Sequence, residues 1–506
     1  MLATDLARRL PAYTRAILTA FNAAGFEAYL VGGAVRDLLL GLTPEDFDIT
    51  TSARPEQVLQ ICKKQSWSTL DKLGHNFGCV IILLDGVPTE VTTFRGERYD
   101  SSDAHRPAAT WYCDALQEDL SRRDFTVNAM AVDIDGTLYD YFGGQQDLAA
   151  KLLRTVGDPE RRYREDALRM LRACRFTAQL GFTYVQSGGD CGPCGMEGTP
   201  YYLPRSYRFP VERCQGLSLE RVRRELEKLL LSRYAGRGLM LMMATGLLGA
   251  SCRVRQNQKD VDVPILPEAL HLLGLRQNPR FHLYDTWEHT LLAIDNSPRQ
   301  LAIRWALVLH DLGKGLPQIR TTNKEGQPSD PGHEAQSAAM AQEILTRLRY
   351  PAAFVRLVVW LVAQHMRFAP MLLTGEKTLL RWVRGEATGG VFKSSAQLTE
   401  AYSLLAEVFL ADMGATHARE NPQLMAEGRA LGEQVIELAR TRMPVAPGDL
   451  AVGGRDLLAL LPQAQLKNTF SYLLERVQSG NLPNDRDALL AAVRKNIKRR
   501  QSAAMI

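Results

Sequence analysis

The sequence predicts an α+β protein, with a mixed β-sheet and its helices in the N-terminal third and a helical remainder. Three observations carry that prediction. Short apolar runs bounded by glycine and turn residues, the mark of strands, are concentrated before residue 157. From Asp158 onward the apolar spacing becomes helical. The length of 506 residues suits about three or four domains, each able to bury a core of its own. The 45% hydrophobic and 23% charged composition is that of an ordinary globular chain, and the net charge of +5 is compatible with a nucleic-acid partner without requiring one. No apolar run approaches the roughly 18 residues of a membrane span. The start, MLATDLARRLPAYTRAILTAF, reads as one amphipathic helix rather than a signal peptide. Eight cysteines, mostly single, do not read as a disulfide framework. The expectation is a cytoplasmic protein with no membrane partner.

The first organising stretch is Tyr29 to Thr51, YLVGGAVRDLLLGLTPEDFDITT, which reads as strand, glycine turn, short helix, loop and strand. Gly32 and Gly33 let the backbone approach a phosphate closely, and the following helix start presents free N–H groups. Arg36 adds a fixed positive charge of the kind that grips phosphate. Asp46 and Asp48 are two apart, so on a strand both carboxylates leave one face, and paired hard oxygens suit Mg²⁺. Pro55 to Lys64 reads as a helix. The apolar run from Phe77 to Leu84, the Asp85-Gly86 turn and the run Val87 to Phe94 read as a hairpin. Glu90 lies in its second strand, either as a third carboxylate for metal chemistry or as an ordinary surface residue. Arg95 to Pro107 is polar and turn-rich and reads as a mobile loop. Ser121 to Asn128, SRRDFTVN, precedes a strand-like Ala129 to Ile134.

The glycine pair, the arginine and the Asp-x-Asp, in that order, resemble the head-domain signature of the nucleotidyltransferase superfamily. The branch they resemble holds the tRNA CCA-adding enzymes and the bacterial poly(A) polymerases. The resemblance implies a catalytic head over residues 1–157, in which Asp46 and Asp48, with Glu90 as candidate third member, hold Mg²⁺. It implies that Arg123 and Asp124 of the Arg-Arg-Asp-Phe-Thr stretch bind the nucleotide, near phosphate and ribose respectively. The family's mobile loop matches here at Asp103, His105, Arg106 and Pro107, with His105 where arginine is usual. The run Glu165 to Phe176 reads as one helix that places Asp166, Arg169, Arg172 and Arg175 three apart, drifting slowly around one face. Alone this is a solvated charged stripe. The resemblance makes Glu165, Asp166 and Arg169 its base-reading motif, the aspartate accepting from the exocyclic amine of C or A and the arginine donating to the ring. Arg172 and Arg175 are then expected to face the triphosphate.

The helical neck is expected over 158–270, with an atypical insert at 183–218. Cys191, Cys194 and Cys214 fall there, as a C-x₂-C with a third cysteine and no fourth ligand at zinc-knuckle spacing. A metal site and a lineage-specific loop both remain open. From Leu272 a second set of residues begins: His289, then His310-Asp311 after the apolar Leu301 to Leu309, then His333, His365 and Asp412. This order resembles the HD metal-dependent phosphohydrolases and implies such a domain over 271–425. His289, His310, Asp311 and Asp412 would be its core ligands, and His333 and His365 the extra ligands of two-metal members. Imidazole with carboxylate suits Mn, Fe, Ni, Zn or Mg alike, and the domain either hydrolyses a phosphoester or holds RNA. The tail, 426–506, matches the family's C-terminal RNA-binding segment at Gly453-Gly454-Arg455-Asp456. Its basic end, Arg494 to Arg500, meets phosphate or caps its own helix dipole.

The expectation is template-independent addition of C, C and A to a tRNA 3′ end from CTP and ATP, with Mg²⁺ in the head and a further ion in the HD site. The alternatives are a poly(A) polymerase, an HD phosphodiesterase with a vestigial head, and a non-catalytic RNA-binding protein. The arginine-rich signature of bacterial poly(A) polymerases is not evident at Leu73 to Gly78.

Overall fold

The computed structural model describes residues 3–70, 78–99, 107–186, 201 and 208–503. Its contacts divide the chain into two units, Met1–Pro267 and Glu268–Ile506.

In the first unit the opening helix is two helices, α1 (Ala3–Arg9) and α2 (Ala12–Ala23). Pro11 sits between them in an extended conformation, because its ring and missing N–H cannot continue a helix. Strand β1 (Ala28–Val31) runs into Gly32, whose φ of 76° is a conformation glycine adopts without strain, and α3 (Gly33–Leu39) begins there. Strand β2 (Ile49–Thr51) starts one residue after Asp48, so the Asp-x-Asp lies on the loop entering the strand rather than in it. Then come α4 (Pro55–Lys64), β3 (Ser68–Leu70), β4 (Cys79–Leu84) and β5 (Val87–Thr93). The Asp85-Gly86 turn has both residues at positive φ, as a tight two-residue hairpin requires. The described start of the expected mobile loop is a strand, β6 (Arg95–Arg98), which pairs antiparallel with β7 (Ala109–Tyr112) just beyond the loop's end. Asp103, His105 and Arg106 lie outside the described residues. After α5 (Leu116–Ser121), β8 (Met130–Val132), β9 (Leu138–Asp140) and α6 (Gly144–Ala149) complete the head.

The main sheet has seven strands in the order β3-β4-β5-β2-β1-β8-β9, and only β2 with β5 is parallel. Leu30, Ile49, Val91 and Ala131 fill its middle, and Phe94 and Phe125 are fully buried. Each such side chain contributes about 1.5–3 kcal/mol on leaving water.

Glu165 to Phe176 is not one helix. A short helix α7 (Pro159–Glu165), capped by Asp158, stops at Asp166, and α8 (Leu168–Leu180) begins two residues later. α9 (Leu219–Leu230) and α10 (Ala235–Ala244) pack with α8. The helical neck also carries small sheets, β10 (Leu152–Leu153) with β11 (Thr183–Tyr184) and the hairpin β12 (Ser251–Gln256) with β13 (Lys259–Pro264).

The second unit is helical apart from the two-residue strands β14 (Thr321–Thr322) and β15 (Pro328–Ser329). Its helices are α11 (Thr286–Asn296), α12 (Leu301–Leu309), α13 (His333–Arg347), α14 (Ala352–Gln364), α15 (Phe368–Met371), α16 (Glu376–Thr388), α17 (Ser395–Met413) and α18 (Pro422–Arg442). The stretch Ala352–Met371 is apolar enough by length and composition to cross a membrane, which the sequence reading does not anticipate. Here it buries Val355, Val358 and Leu361 and packs on α12, α13 and α17. α19 (Gly454–Leu458), α20 (Leu466–Gln478) and α21 (Arg486–Ala503) close the chain around a core of Leu457, Leu473 and Leu489.

Candidate functional sites

The head site lies where β1 and β2 meet the glycine turn. Ile49 is paired in parallel with Val91, so the same register sets Asp48, just before β2, beside Glu90 in the middle of β5. Asp46, Asp48 and Glu90 are all exposed. Asp48 nonetheless sits in a concave surface. The surrounding protein, then the negative charge of Glu90, push its carboxyl up to about 6 against the pull of Arg123, with Asp46 adding to the rise. Adjoining carboxylates of this kind form a natural seat for a divalent cation. The donor set, oxygen only and open to a ligand, fits Mg²⁺.

Across the turn, a Cβ on Gly32 would come within 3.0 Å of Arg123 Nη1, so the guanidinium packs closely over the glycine. The Arg123 Nε is buried and has no hydrogen-bond partner among the described residues. A residue the sequence reading missed positions this arginine. Asp119, fully buried, accepts from Thr50 Oγ1 (3.0 Å) and Arg122 Nε (3.0 Å), and lies 3.7 Å from Arg123 Nη2. Its spacing of three and four residues before the arginine pair is the helical ion-pair pattern, a signal available in the sequence.

Arg36 is placed differently from its expected role. It is 4% exposed, with Nε and Nη2 on Asp37 Oδ1 and Nη1 on Asn128 Oδ1, so it braces the turn. Asp124 is likewise buried, accepting from Asn128 Nδ2 at 3.2 Å and from Arg172 Nε at 2.7 Å and Nη2 at 2.6 Å. Burial would raise its carboxyl, but Arg172 and Asn128 outweigh it and hold the group at about 2. Arg172 therefore faces Asp124, and Arg175 turns onto Glu225 of α9 at 2.6 Å. Each guanidinium expected to face the triphosphate is thus held by a carboxylate of a neighbouring segment, a pairing the helix spacing alone does not reveal.

Asp166 and Arg169 remain together at that break. The Asp166 Oδ1 accepts from Leu168 N–H at 3.0 Å and so starts α8. Arg169 is fixed by Glu165 (3.0 Å) and the Arg122 carbonyl (2.8 Å), and its guanidinium lies 5.8 Å from the Tyr99 ring centre. Glu165 also lines a cleft of about 690 Å³ with Tyr99, Trp111, Arg161, Arg164 and Arg213.

Cys191 and Cys194 lie outside the described residues. Cys214 is a free, buried thiol that burial pushes up to about 12, and among the described residues no cysteine joins a group of candidate metal ligands.

The second unit gathers all six expected ligands. His289 (α11), His310 (the end of α12), Asp311, His333 (the start of α13), His365 (the end of α14) and Asp412 (α17) converge. His289 Nε2 is 2.9 Å from Asp412 Oδ1, and His310 Nε2 is 3.2 Å from Asp311 Oδ2. On the other oxygen, His333 Nε2 is 3.2 Å and His365 Nε2 3.9 Å from Asp311 Oδ1. Each ring directs Nδ1 at a backbone carbonyl, those of Ala415, Leu307, Asp330 and Val362 in turn. An Nδ1–H donated to a carbonyl leaves an Nε2 lone pair, and His333 and His365 point theirs at each other across 3.3 Å. Facing lone pairs need a cation between or beside them. Asp311 is fully buried and held well below the usual carboxylate range, with His310 and Lys314 overcoming the effect of burial. The donor set fits two ions with Asp311 between them, one beside His289, His310 and Asp311 and one beside Asp311, His333 and His365.

Two neighbours went unread in the sequence. Lys314 Nζ lies 2.8 Å from Asp311 Oδ2, three residues on in the same turn. His282 stacks edge-on against His289, and burial, then Lys314, push it down to about 3. Both line a cleft of about 620 Å³ with His333, Arg367, Phe281 and Met366.

Comparison with known proteins matches these features in order. The model for the poly(A) polymerase head domain matches residues 28–154. That for a probable RNA and SrmB-binding site of polymerase A matches 211–250, and that for the HD domain 282–413. A CCA-adding enzyme of Geobacillus thermodenitrificans is 43% identical over 231 residues, 46% of this chain and 52% of that protein. One of Leuconostoc citreum is 38% identical over 285 residues, 54% of this chain and 66% of that protein. The chain thus spans about half the length of the first of these relatives in its match. The crystal structure of the Bacillus stearothermophilus CCA-adding enzyme in complex with CTP superposes with a TM-score of 0.60 at 26% identity, covering 97% of this chain and 98% of that one. Fold and sites define the class, a nucleotidyltransferase head followed by an HD metal domain. The chain belongs to the family of tRNA nucleotidyltransferases and poly(A) polymerases.

Proposed function

We propose that this chain adds C, C and A, without a template, to the 3′ end of tRNA, using CTP and ATP. The observation that carries the reading is the carboxylate set Asp46, Asp48 and Glu90 facing a glycine turn backed by a half-buried arginine, Arg123. Asp46 and Asp48 would hold Mg²⁺, with Glu90 beside them. Bound there, the metal supplies Lewis-acid stabilisation of an attacking primer 3′-oxygen and of a leaving pyrophosphate. The chain's own part is positional. The Gly32-Gly33 backbone and Arg123 receive the triphosphate, Asp119 fixes Arg123, and Asp124 is held by Arg172 and Asn128 at the nucleotide. Asp166 and Arg169 offer an acceptor and a donor to the base edge, a pairing worth about 1–3 kcal/mol of discrimination. The amine edge shared by C and A, and absent from U, suits this pair.

Incorporation at single-nucleotide resolution tests the reading. A tRNA ending at the discriminator base is offered Mg²⁺ with CTP, ATP or both. A product three nucleotides longer that needs both triphosphates is expected, and Asp46→Ala abolishes it. A long ladder with ATP alone identifies a poly(A) polymerase instead, and no product overturns the head-site reading.

The six converging ligands favour a second activity, hydrolysis of a phosphoester in the HD site. His289, His310, Asp311, His333, His365 and Asp412 would hold the ions there, and such ions supply an activated water. Asp311→Ala is expected to remove hydrolysis and leave nucleotide addition in place.

A further inference from the structure

Phe176, 5% exposed on α8, is enclosed by cations. The guanidinium of Arg175 lies 3.8 Å from its ring centre, and those of Arg36 and Arg172 lie at 5.3 Å each. Phe125 meets the ring edge-on at 5.6 Å. Each arginine has one carboxylate, Asp37 for Arg36, Asp124 for Arg172 and Glu225 for Arg175. The aromatic face is the neutral, electron-rich surface that lets three guanidinium groups share one buried space.

The ring also closes a circuit. Arg36 Nη1 donates to Asn128 Oδ1 at 2.8 Å, Asn128 Nδ2 donates to Asp124 Oδ1 at 3.2 Å, and Arg172 Nε donates to Asp124 Oδ2 at 2.7 Å. An arginine can only donate, so the Asn128 amide has one workable orientation, oxygen to Arg36 and nitrogen to Asp124. Phe176 then joins Arg172 back to Arg36. One side of this circuit is the glycine turn, where Arg36 lies within a helical turn of Gly32 and Gly33. The other is α8, whose first turn holds Arg169 and follows Asp166.

We infer that Phe176 and Asn128 are positioning residues that set the register between the triphosphate turn and the base-reading start of α8, so that base choice depends on them although neither touches the base. This rests on the nucleotide-adding reading above. A triphosphate held by the turn places its base at a fixed reach. Discrimination at Asp166 and Arg169 requires α8 to be locked at that same reach, which the circuit does without spending a donor on the ligand.

The test is steady-state incorporation of each of the four nucleoside triphosphates by wild type, Phe176→Leu, Phe176→Tyr and Asn128→Ala, with thermal melting alongside. Leucine keeps an apolar side chain of similar bulk but has no π-face. Phe176→Leu is expected to lower the kcat/KM ratio of CTP over UTP by about five- to a hundredfold, the range of one base contact. It does so through a larger KM for CTP, with melting little changed. Phe176→Tyr restores the ratio, and Asn128→Ala, cut elsewhere in the circuit, reproduces the loss. Equal losses for all four triphosphates with the ratio intact overturn the coupling and leave Phe176 a core residue. No incorporation by wild type overturns the nucleotide-adding reading and this inference with it.

Discussion

Asp124 is the residue whose surroundings most change its chemistry. Its carboxyl falls from the usual 3.8 to about 2, because Arg172 and Asn128 bind the charged form more strongly than burial opposes it. A depressed carboxylate stabilises the fold above its unfolded pKa. Its contribution, about 2 kcal/mol from the shift, is complete above about pH 5 and is lost as pH falls through 3.8 towards 2. Urea unfolding of wild type and Asp124→Asn should differ most near neutral pH and converge in acid. A gap that is constant with pH removes the ion pair from the explanation. Asp48 carries the opposite sign. Its carboxyl is raised to about 6 by its surroundings and by Glu90, so below that pH a cation must displace a proton to bind. The Mg²⁺ concentration that half-saturates nucleotide addition should therefore rise as pH drops from 7 to 5. A flat Mg²⁺ requirement across that range would exclude Asp48 as a ligand. Both aspartates stand in motifs visible in the sequence, but only Asp48 lies exposed. The difference is burial, which a linear motif does not record. Arg36 and Arg172 look like free phosphate cations until their partners, Asp37 with Asn128 and Asp124, are seen around them.

At the scale of elements, what the sequence showed and what it hid have separate causes. The Asp85-Gly86 hairpin was legible because positive φ at two adjacent residues selects its own residue types. The break between α7 and α8 was not, since no proline or glycine marks it. The chain leaves the helix at Asp166, with φ −139° and ψ 103°, and the aspartate side chain caps the next helix itself. Two glycines in helices make opposite predictions that sequence alone could not separate. Gly238 lies where α10 crosses α8, and a Cβ there would meet the Cys174 carbonyl at 2.6 Å and Ala178 Cβ at 2.8 Å. Gly238→Ala gains about 1 kcal/mol of helix propensity, yet the forced separation costs about 1–3 kcal/mol, so a loss of stability is expected. Gly385, exposed in α16, has nothing within 4 Å of an added Cβ. Gly385→Ala should stabilise by about 0.5–1 kcal/mol. Denaturant midpoints of the two variants check both signs, and a stabilising Gly238→Ala would mean the α8–α10 crossing has slack.

Over the whole molecule, the two units carry candidate metal ligands of different kinds, and that difference is measurable as stability. The head carboxylates are open and mutually repelling, so a cation there is an exchangeable participant. The HD ligands are interior side chains, and among the described residues His289 Nε2, His310 Nε2 and both Asp311 oxygens complete no well-aligned hydrogen bond. Their chain order made them legible in the sequence, through the HD resemblance it carries, and five helices bring the six side chains together. The direction of each imidazole was not legible, since it depends on carbonyls at Leu307, Asp330, Val362 and Ala415 that no motif names. Buried, preoriented ligands bind metal in the folded state alone, so occupancy adds RT ln(1 + [L]/Kd), about 2.7 kcal/mol at a hundredfold excess over Kd. Removing metal with EDTA should therefore lower the melting temperature of the second unit, and Mn²⁺ should restore it. Asp311→Ala, which takes away the carboxylate between both halves of the site, should start from a different melting point and respond to neither addition. Asp46→Ala should keep the full response, because an ion held there would sit on an exposed surface of the other unit. A response to EDTA that survives Asp311→Ala but disappears in Asp46→Ala would transfer the structural metal to the head and leave the HD cluster as a set of neutral and charged side chains held by packing alone.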